Sequence, residues 1–310
     1  MPTPSGIRCA CARRDTGARL QINSRPSLPA HFAWLAMVVL CLGAQTAWAE
    51  GKPTQATSSR AAREDAVRSI PVNKLNAPDK QRVVATLENT SIFRRLPVQV
   101  IQCDPDMYLF LVRHPEVVVN IWEVMKISNV ALERTGEDTF RASDGAGTLC
   151  DVKYCYSDHD TQVIYAQGRY EGPLFQRPVQ ARCVLVLKSG YMQETNGRYY
   201  VTCRMDTFID IDHAGVEVLA KTLQPLVNRA ADYNFVETAA FLEQISRTSE
   251  MNPLGVGRLA RRLNKLEPQV RDRFAELSLS VGEKARQREG IEAASAARDS
   301  VAQPASHERR

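Results

Sequence analysis

The chain has 310 residues, with 40 Lys and Arg against 35 Asp and Glu and a formal net charge of +5. Five of the arginines (Arg8, Arg13, Arg14, Arg19 and Arg25) and one acid, Asp15, lie in the first 49 residues, so the remainder carries only about +1. That balance excludes the basic footprint a nucleic-acid-binding protein needs.

Residues 1–49 have the three zones of a signal peptide. The amino end is basic, Phe32 to Ala44 is an apolar or small run, and Ala47-Trp48-Ala49 is a small-x-small cleavage pattern. The apolar run falls short of the roughly 20 residues of a membrane span. The expectation is cleavage near Ala49 and export to the periplasm or cell envelope; an uncleaved anchor is the alternative. Residues 50–74 read as a polar linker.

Folded chain is expected from Leu75. Asn76 can cap a helix with Pro78 in its first turn and Val83, Val84 and Leu87 as its apolar stripe. Pro97 to Ile101 follows as a short strand. Asp104-Pro105-Asp106 starts one helix, and Pro115-Glu116 starts a second that carries Val117, Val118, Ile121, Trp122 and Met125.

From Asn129 the apolar period changes to two. Strands are expected at about 129–134, 138–143, 148–156, 161–171, 180–188 and 198–212, separated by glycine-rich or acidic turns such as Gly145-Ala146-Gly147, Ser157-Asp158-His159-Asp160 and Asn196-Gly197. In the last strand Tyr199, Val201, Cys203, Met205, Thr207, Ile209 and Ile211 form one face. Tyr200, Thr202, Arg204, Asp206, Phe208 and Asp210 form the other, which is expected to be mostly wet. A long helix is expected over about 214–246, kinked at Pro225. Accessory helices are expected within 251–283, and a disordered tail over 284–310, where apolar residues are too sparse to offset the entropy of ordering.

Short turns force antiparallel neighbours, and a half-wet sheet must bury its apolar face against the long helix. The expected fold class is therefore α+β: a curved antiparallel sheet of about seven strands wrapped on a long C-terminal helix, with extra flanking helices.

Outside the leading segment the cysteines are Cys103, Cys150, Cys155, Cys183 and Cys203, an odd number without C-x-x-C spacing. A hairpin centred near Gln193 would set Cys183 opposite Cys203 at bridging distance. A two-residue turn at Asn196-Gly197 would instead set Cys183 opposite Asp210.

The succession strand, two helices, six strands, long helix, with His114-Pro115-Glu116-Val117-Val118-Val119-Asn120-Ile121-Trp122 at the second short helix, resembles the START-like (SRPBCC) superfamily of polyketide cyclases and lipid-transport proteins. The resemblance covers about 97–246, within a domain bounded at 75–250, and is one of element order. It implies a helix-grip fold enclosing a hydrophobic small molecule or lipid, with no catalytic signature and no cofactor. It places Tyr154, Tyr156, Leu185, Leu187, Tyr199, Val201 and Met205 of the sheet, with Leu223 and Val227 of the helix, along the pocket. A cyclase- or dehydratase-like enzyme in the same fold, or an envelope interaction module with a filled core, are the alternatives.

No residue set carries established catalytic or metal spacing: there is no nucleophile elbow, phosphate loop or H-E-x-x-H. Asp158-His159-Asp160 reads as a solvated turn, and His114 as a helix boundary. The segment Gly257 to Leu266 is basic and amphipathic. It is expected to pack by its leucines, with peripheral membrane contact as the alternative.

Overall fold

A computed structural model describes residues 55–171, 178–212 and 224–302. The expected signal peptide, and residue Leu223, lie outside them.

Among the described residues the chain is α+β, with seven α-helices and an eight-stranded antiparallel sheet. Helix α1 (Arg60–Arg68), a 3-10 turn (Val72–Lys74) and α2 (Ala77–Glu88) precede β1 (Ile92–Arg95) and β2 (Gln99–Gln102). Then come α3 (Pro105–Arg113) and α4 (Pro115–Val124). Six strands follow: β3 (Ala131–Arg134), β4 (Thr139–Ser143), β5 (Thr148–Ser157), β6 (Thr161–Tyr170), β7 (Val179–Gln193) and β8 (Tyr199–Ile211). Three helices close the chain: α5 (Gln224–Met251), α6 (Pro253–Ala260) and α7 (Pro268–Ala302).

The strand order is β1-β8-β7-β6-β5-β4-β3, and β2 also pairs with β8. β1 and β2 share one edge of β8, running from Ile92 opposite Ile209 to Gln102 opposite Tyr200. The strand expected over Pro97 to Ile101 is β2, which starts at Gln99 because Pro97 has no N–H to give the ladder; β1 lies outside the expected strands.

Local capping explains the helix starts. The Asn76 side chain accepts from the Asp79 N–H, and Asp104 accepts from those of Asp106 and Met107, each followed by Pro in the first turn. Asp79 is itself buried against Lys153 of β5, its two oxygens 2.9 and 2.7 Å from Nζ, which fastens α2 to the sheet.

Three expectations are corrected here. The stretch 50–74 is not all linker, since α1 packs Ala62 and Ala66, with Ile70 behind them, onto the sheet. These few small or apolar residues sit at helical spacing among arginines, so composition hides them. Second, the β8 face expected to be wet is dry at one end. Asp206 and Phe208 are fully buried, and Val184 and Val186 of β7 join them beneath α1 and α2. Third, 284–302 is helical rather than disordered: α7 runs on to Ala302. Lys284 bonds Asp104 and Asp106, each at 2.9 Å, and Arg288 pairs with Glu250 at 3.1 Å. Tertiary anchors supply what the composition lacks.

Pro225 falls in the first turn of α5 as described, and the expected helix before it, 214–223, lies outside the described residues. The buried residues Val227, Ala231, Phe235, Ala239, Leu242 and Ile245 recur at helical spacing. Leu263 and Leu266 of the basic segment, and Val256 just before it, lie in the core, with Arg258, Arg261 and Arg262 exposed. No helix among the described residues is long and apolar enough to cross a membrane.

Candidate functional site on the sheet

The sheet face opposite α1 and α2 carries two apolar clusters. The larger joins α3 to α7 with Leu187, Val201 and Cys203 and is filled by rings: Trp122 lies 5.4 Å from Phe241, and Phe110 stacks on Phe274 at 6.1 Å. The smaller lies on β1 and β5–β8. It contains Ile92, Ile164, Ala166, Tyr170, Val179, Cys183, Leu185, Ile209, Ile211 and Val227, with Tyr154, Val152, Cys150 and Met205 packed against it. Its centre is built of small groups, because Ala166 stands between Val152 and Cys183, and Gly168 between Cys150 and Ala181. Among the described residues Val227 is the helix side chain of this cluster.

Four of the expected lining residues therefore meet: Tyr154, Leu185, Met205 and Val227. Leu187 and Val201 share their face but belong to the filled cluster, with Met205 touching both. Tyr199, half-buried near the β7–β8 turn, is in neither. Tyr156 is on the wrong side. A β-bulge between Tyr154 and Tyr156 pairs Tyr154 with Ile164 but Tyr156 with Val163, so the two rings face opposite ways. Tyr156 instead packs beneath α2 and hydrogen-bonds Lys74 and Asp158.

The Cys183–Cys203 bridge is also corrected. The β7–β8 turn bonds Gly197 N–H to the Glu194 carbonyl, with Gly197 at φ +75, and the strands resume at Gln193 opposite Tyr199. The loop is one residue longer than a two-residue turn, so Cys183 lies opposite Ile209 and Cys203 opposite Ser189. Six residues of strand separate the two positions, roughly 20 Å, far beyond the reach of a disulfide. All five described cysteines are free thiols. Burial pushes the Cys155 thiol up to about 11 and the Cys150 and Cys203 thiols to about 12. At pH 8 these groups stay protonated and poorly nucleophilic. A thiol titration of the chain lacking residues 1–49 should show slow labelling when native and five thiols in denaturant; a count of three would restore a bridge.

A polar group borders the small cluster. The Tyr154 ring is 5.8 Å from Phe140, and the Arg134 guanidinium lies 4.4 Å over Phe140. Tyr154 donates its hydroxyl to the Val112 carbonyl at 2.7 Å, at the end of α3. Arg134 Nε donates to Glu116 Oε1 at 2.8 Å, and His114 Nδ1 lies 3.2 Å from both Glu116 Oε1 and Arg134 Nη2. That nitrogen can donate to the carboxylate or accept from the guanidinium, one at a time. Burial pushes the Glu116 carboxyl up, but the bonds from His114 and Arg134 outweigh it and hold its pKa below the usual carboxylate value. Burial, then the Glu116 charge, raises the Tyr154 phenol, so it stays protonated.

Glu116, Asn120 and Arg134 are not among the site residues expected from sequence, where Glu116 figures only as a helix start. The one available signal was a polar Asn120 inside the apolar run Val117 to Trp122. Elsewhere, the Asp158 carboxylate is used by its own turn, accepting from the N–H groups of Asp160 and Thr161, while His159 bonds Asp160. An open cleft at the start of α5 is lined by Arg94, Pro225, Asn228, Arg229 and Asp232, with Arg94 paired to Asp232.

No family profile matches the chain, and no curated protein does. Among solved structures, a hypothetical protein from Helicobacter pylori is 13% identical, with 46% of this chain and 84% of that one covered at a TM-score of 0.29. An uncharacterized protein from Rhizobium leguminosarum is 13% identical, with 47% and 95% covered at a TM-score of 0.26. Likenesses at these scores carry no functional argument.

Proposed function

We propose that the protein, exported after removal of residues 1–49, binds a hydrophobic small molecule or lipid between the sheet and α5, in a helix-grip arrangement of the START-like kind. The observation that carries this reading is the contrast between the two apolar clusters. One is filled with aromatic rings, while the other has Ala166, Gly168 and two cysteine thiols at its centre. Small side chains on a sheet face let an apolar molecule lie close against the strands, and ligand sites are mostly apolar with a few placed polar groups. Tyr154, Leu185, Met205 and Val227 are the contacts assigned to the ligand.

The test is a fluorescence titration with cis-parinaric acid, a naturally fluorescent fatty acid. Wild-type protein should bind it, and Ala166→Phe should weaken binding more than tenfold while costing the fold only about 1–3 kcal/mol from overpacking. Unchanged binding by Ala166→Phe would place the ligand elsewhere. A wild-type protein that binds no fatty acid, and carries no extractable lipid from its host, would favour the interaction-module reading, which the ring-filled larger cluster supports.

A further inference from the structure

Two acceptor atoms on one face of α4 are buried without a hydrogen-bond partner: Glu116 Oε2 and Asn120 Oδ1. Their residues are 5% and 4% exposed. The other atoms of these side chains are engaged, Glu116 Oε1 by Arg134 and Asn120 Nδ2 by Glu123 Oε2 at 3.3 Å. Residues four apart on a helix sit side by side, about 5–6 Å between Cβ atoms. Buried acceptors are nearly always satisfied in folded proteins, and a pair left open is the place where a donor fits.

We infer that Glu116 and Asn120 form the headgroup subsite of the apolar ligand, taking an uncharged group with two hydroxyl donors, a 1,2-diol or glyceryl headgroup. This rests on the proposed apolar pocket and goes beyond it by naming the ligand's polar end. A chain of packed side chains links Glu116 to the small cluster: Arg134 holds Glu116 and lies over Phe140, and Phe140 packs against Tyr154. The charge argues for a neutral donor. Arg134 already balances the Glu116 carboxylate, so a ligand cation would add a buried positive charge next to a guanidinium and pay its own desolvation. An O–H supplies the missing bond without a new charge, and two of them match two acceptors.

The experiment is competition against bound cis-parinaric acid by two compounds of equal chain length, 1,2-dodecanediol and 1,2-dimethoxydodecane. Both present two oxygens, and only the first can donate. A hydrogen bond to a charged acceptor discriminates by about tenfold or more, so the diol should displace the probe at least tenfold better from wild-type protein. Glu116→Gln, which replaces an acceptor oxygen by a donor, and Asn120→Leu should each narrow that ratio while the diether competes as before. Equal competition by diol and diether in the wild type would overturn the subsite and leave the pocket standing. Should neither the probe nor either competitor bind, the pocket itself fails and the subsite with it. The wild-type ratio can overturn the subsite even where a variant does not fold, and a ratio left unchanged by folded Glu116→Gln and Asn120→Leu overturns it as well.

Discussion

Replacing Asp206 with alanine should cost about 3–5 kcal/mol of stability, nearer the lower figure, and lower the melting temperature by roughly 6–12 °C at about 3 kcal/mol. The Asp206 side chain is fully buried, and its Oδ1 accepts from Arg95 Nε at 2.6 Å. Arg95, 16% exposed, also reaches Asp65 of α1 at 2.8 Å. Removing Asp206 strands most of a guanidinium under α1, and Asp65 relieves only part of that cost. The exposed pair Arg141–Asp151, at 3.2 Å on the sheet surface, is the control. Arg141→Ala should change stability by less than about 1 kcal/mol. Urea unfolding of both variants measures the difference; equal small effects would mean that the Asp206 site is hydrated.

Phe274→Ala should be as severe, about 3–5 kcal/mol. Phe274 of α7 is fully buried, its ring parallel to that of Phe110 on α3. The loss would show as a shifted urea midpoint with an unchanged slope. A cost under about 1 kcal/mol would mean that α7 is a loosely attached appendage, and the buried Leu277, Val281 and Ala285 argue against that.

The antiparallel sheet was legible because alternation survives in isolated sequence. The runs read at 138–143, 148–156 and 161–171 lie within a residue of β4, β5 and β6. What escaped depended on distant partners. The dry end of β8 cannot be read from Asp206 and Phe208 without knowing that α1 lies above them, and the polar composition of 50–74 conceals that helix. A single bulged residue separates Tyr154 from Tyr156 in facing, because strand period is two and an inserted residue reverses everything after it. One loop residue likewise moved Cys183 from Asp210 to Ile209. Of the candidate site, periodicity gave the inward facing of Leu185 and Met205, and their place along a pocket came from the resemblance alone. Glu116 read as a helix start and Asn120 as one polar residue in an apolar run, and only the fold shows that an oxygen of each is buried without a partner.

The larger apolar cluster draws on Leu96 and Ile101 near its beginning and on Phe274 and Val281 near its end. Such wide sequence separation has a kinetic meaning. During synthesis β2, α3 and α4 emerge long before α5, α6 and α7 can cover them, so their apolar faces stay sticky until nearly the whole chain is available. Final closure is therefore a late step, and a chain stopped short of α7 is an aggregation hazard rather than a smaller working protein.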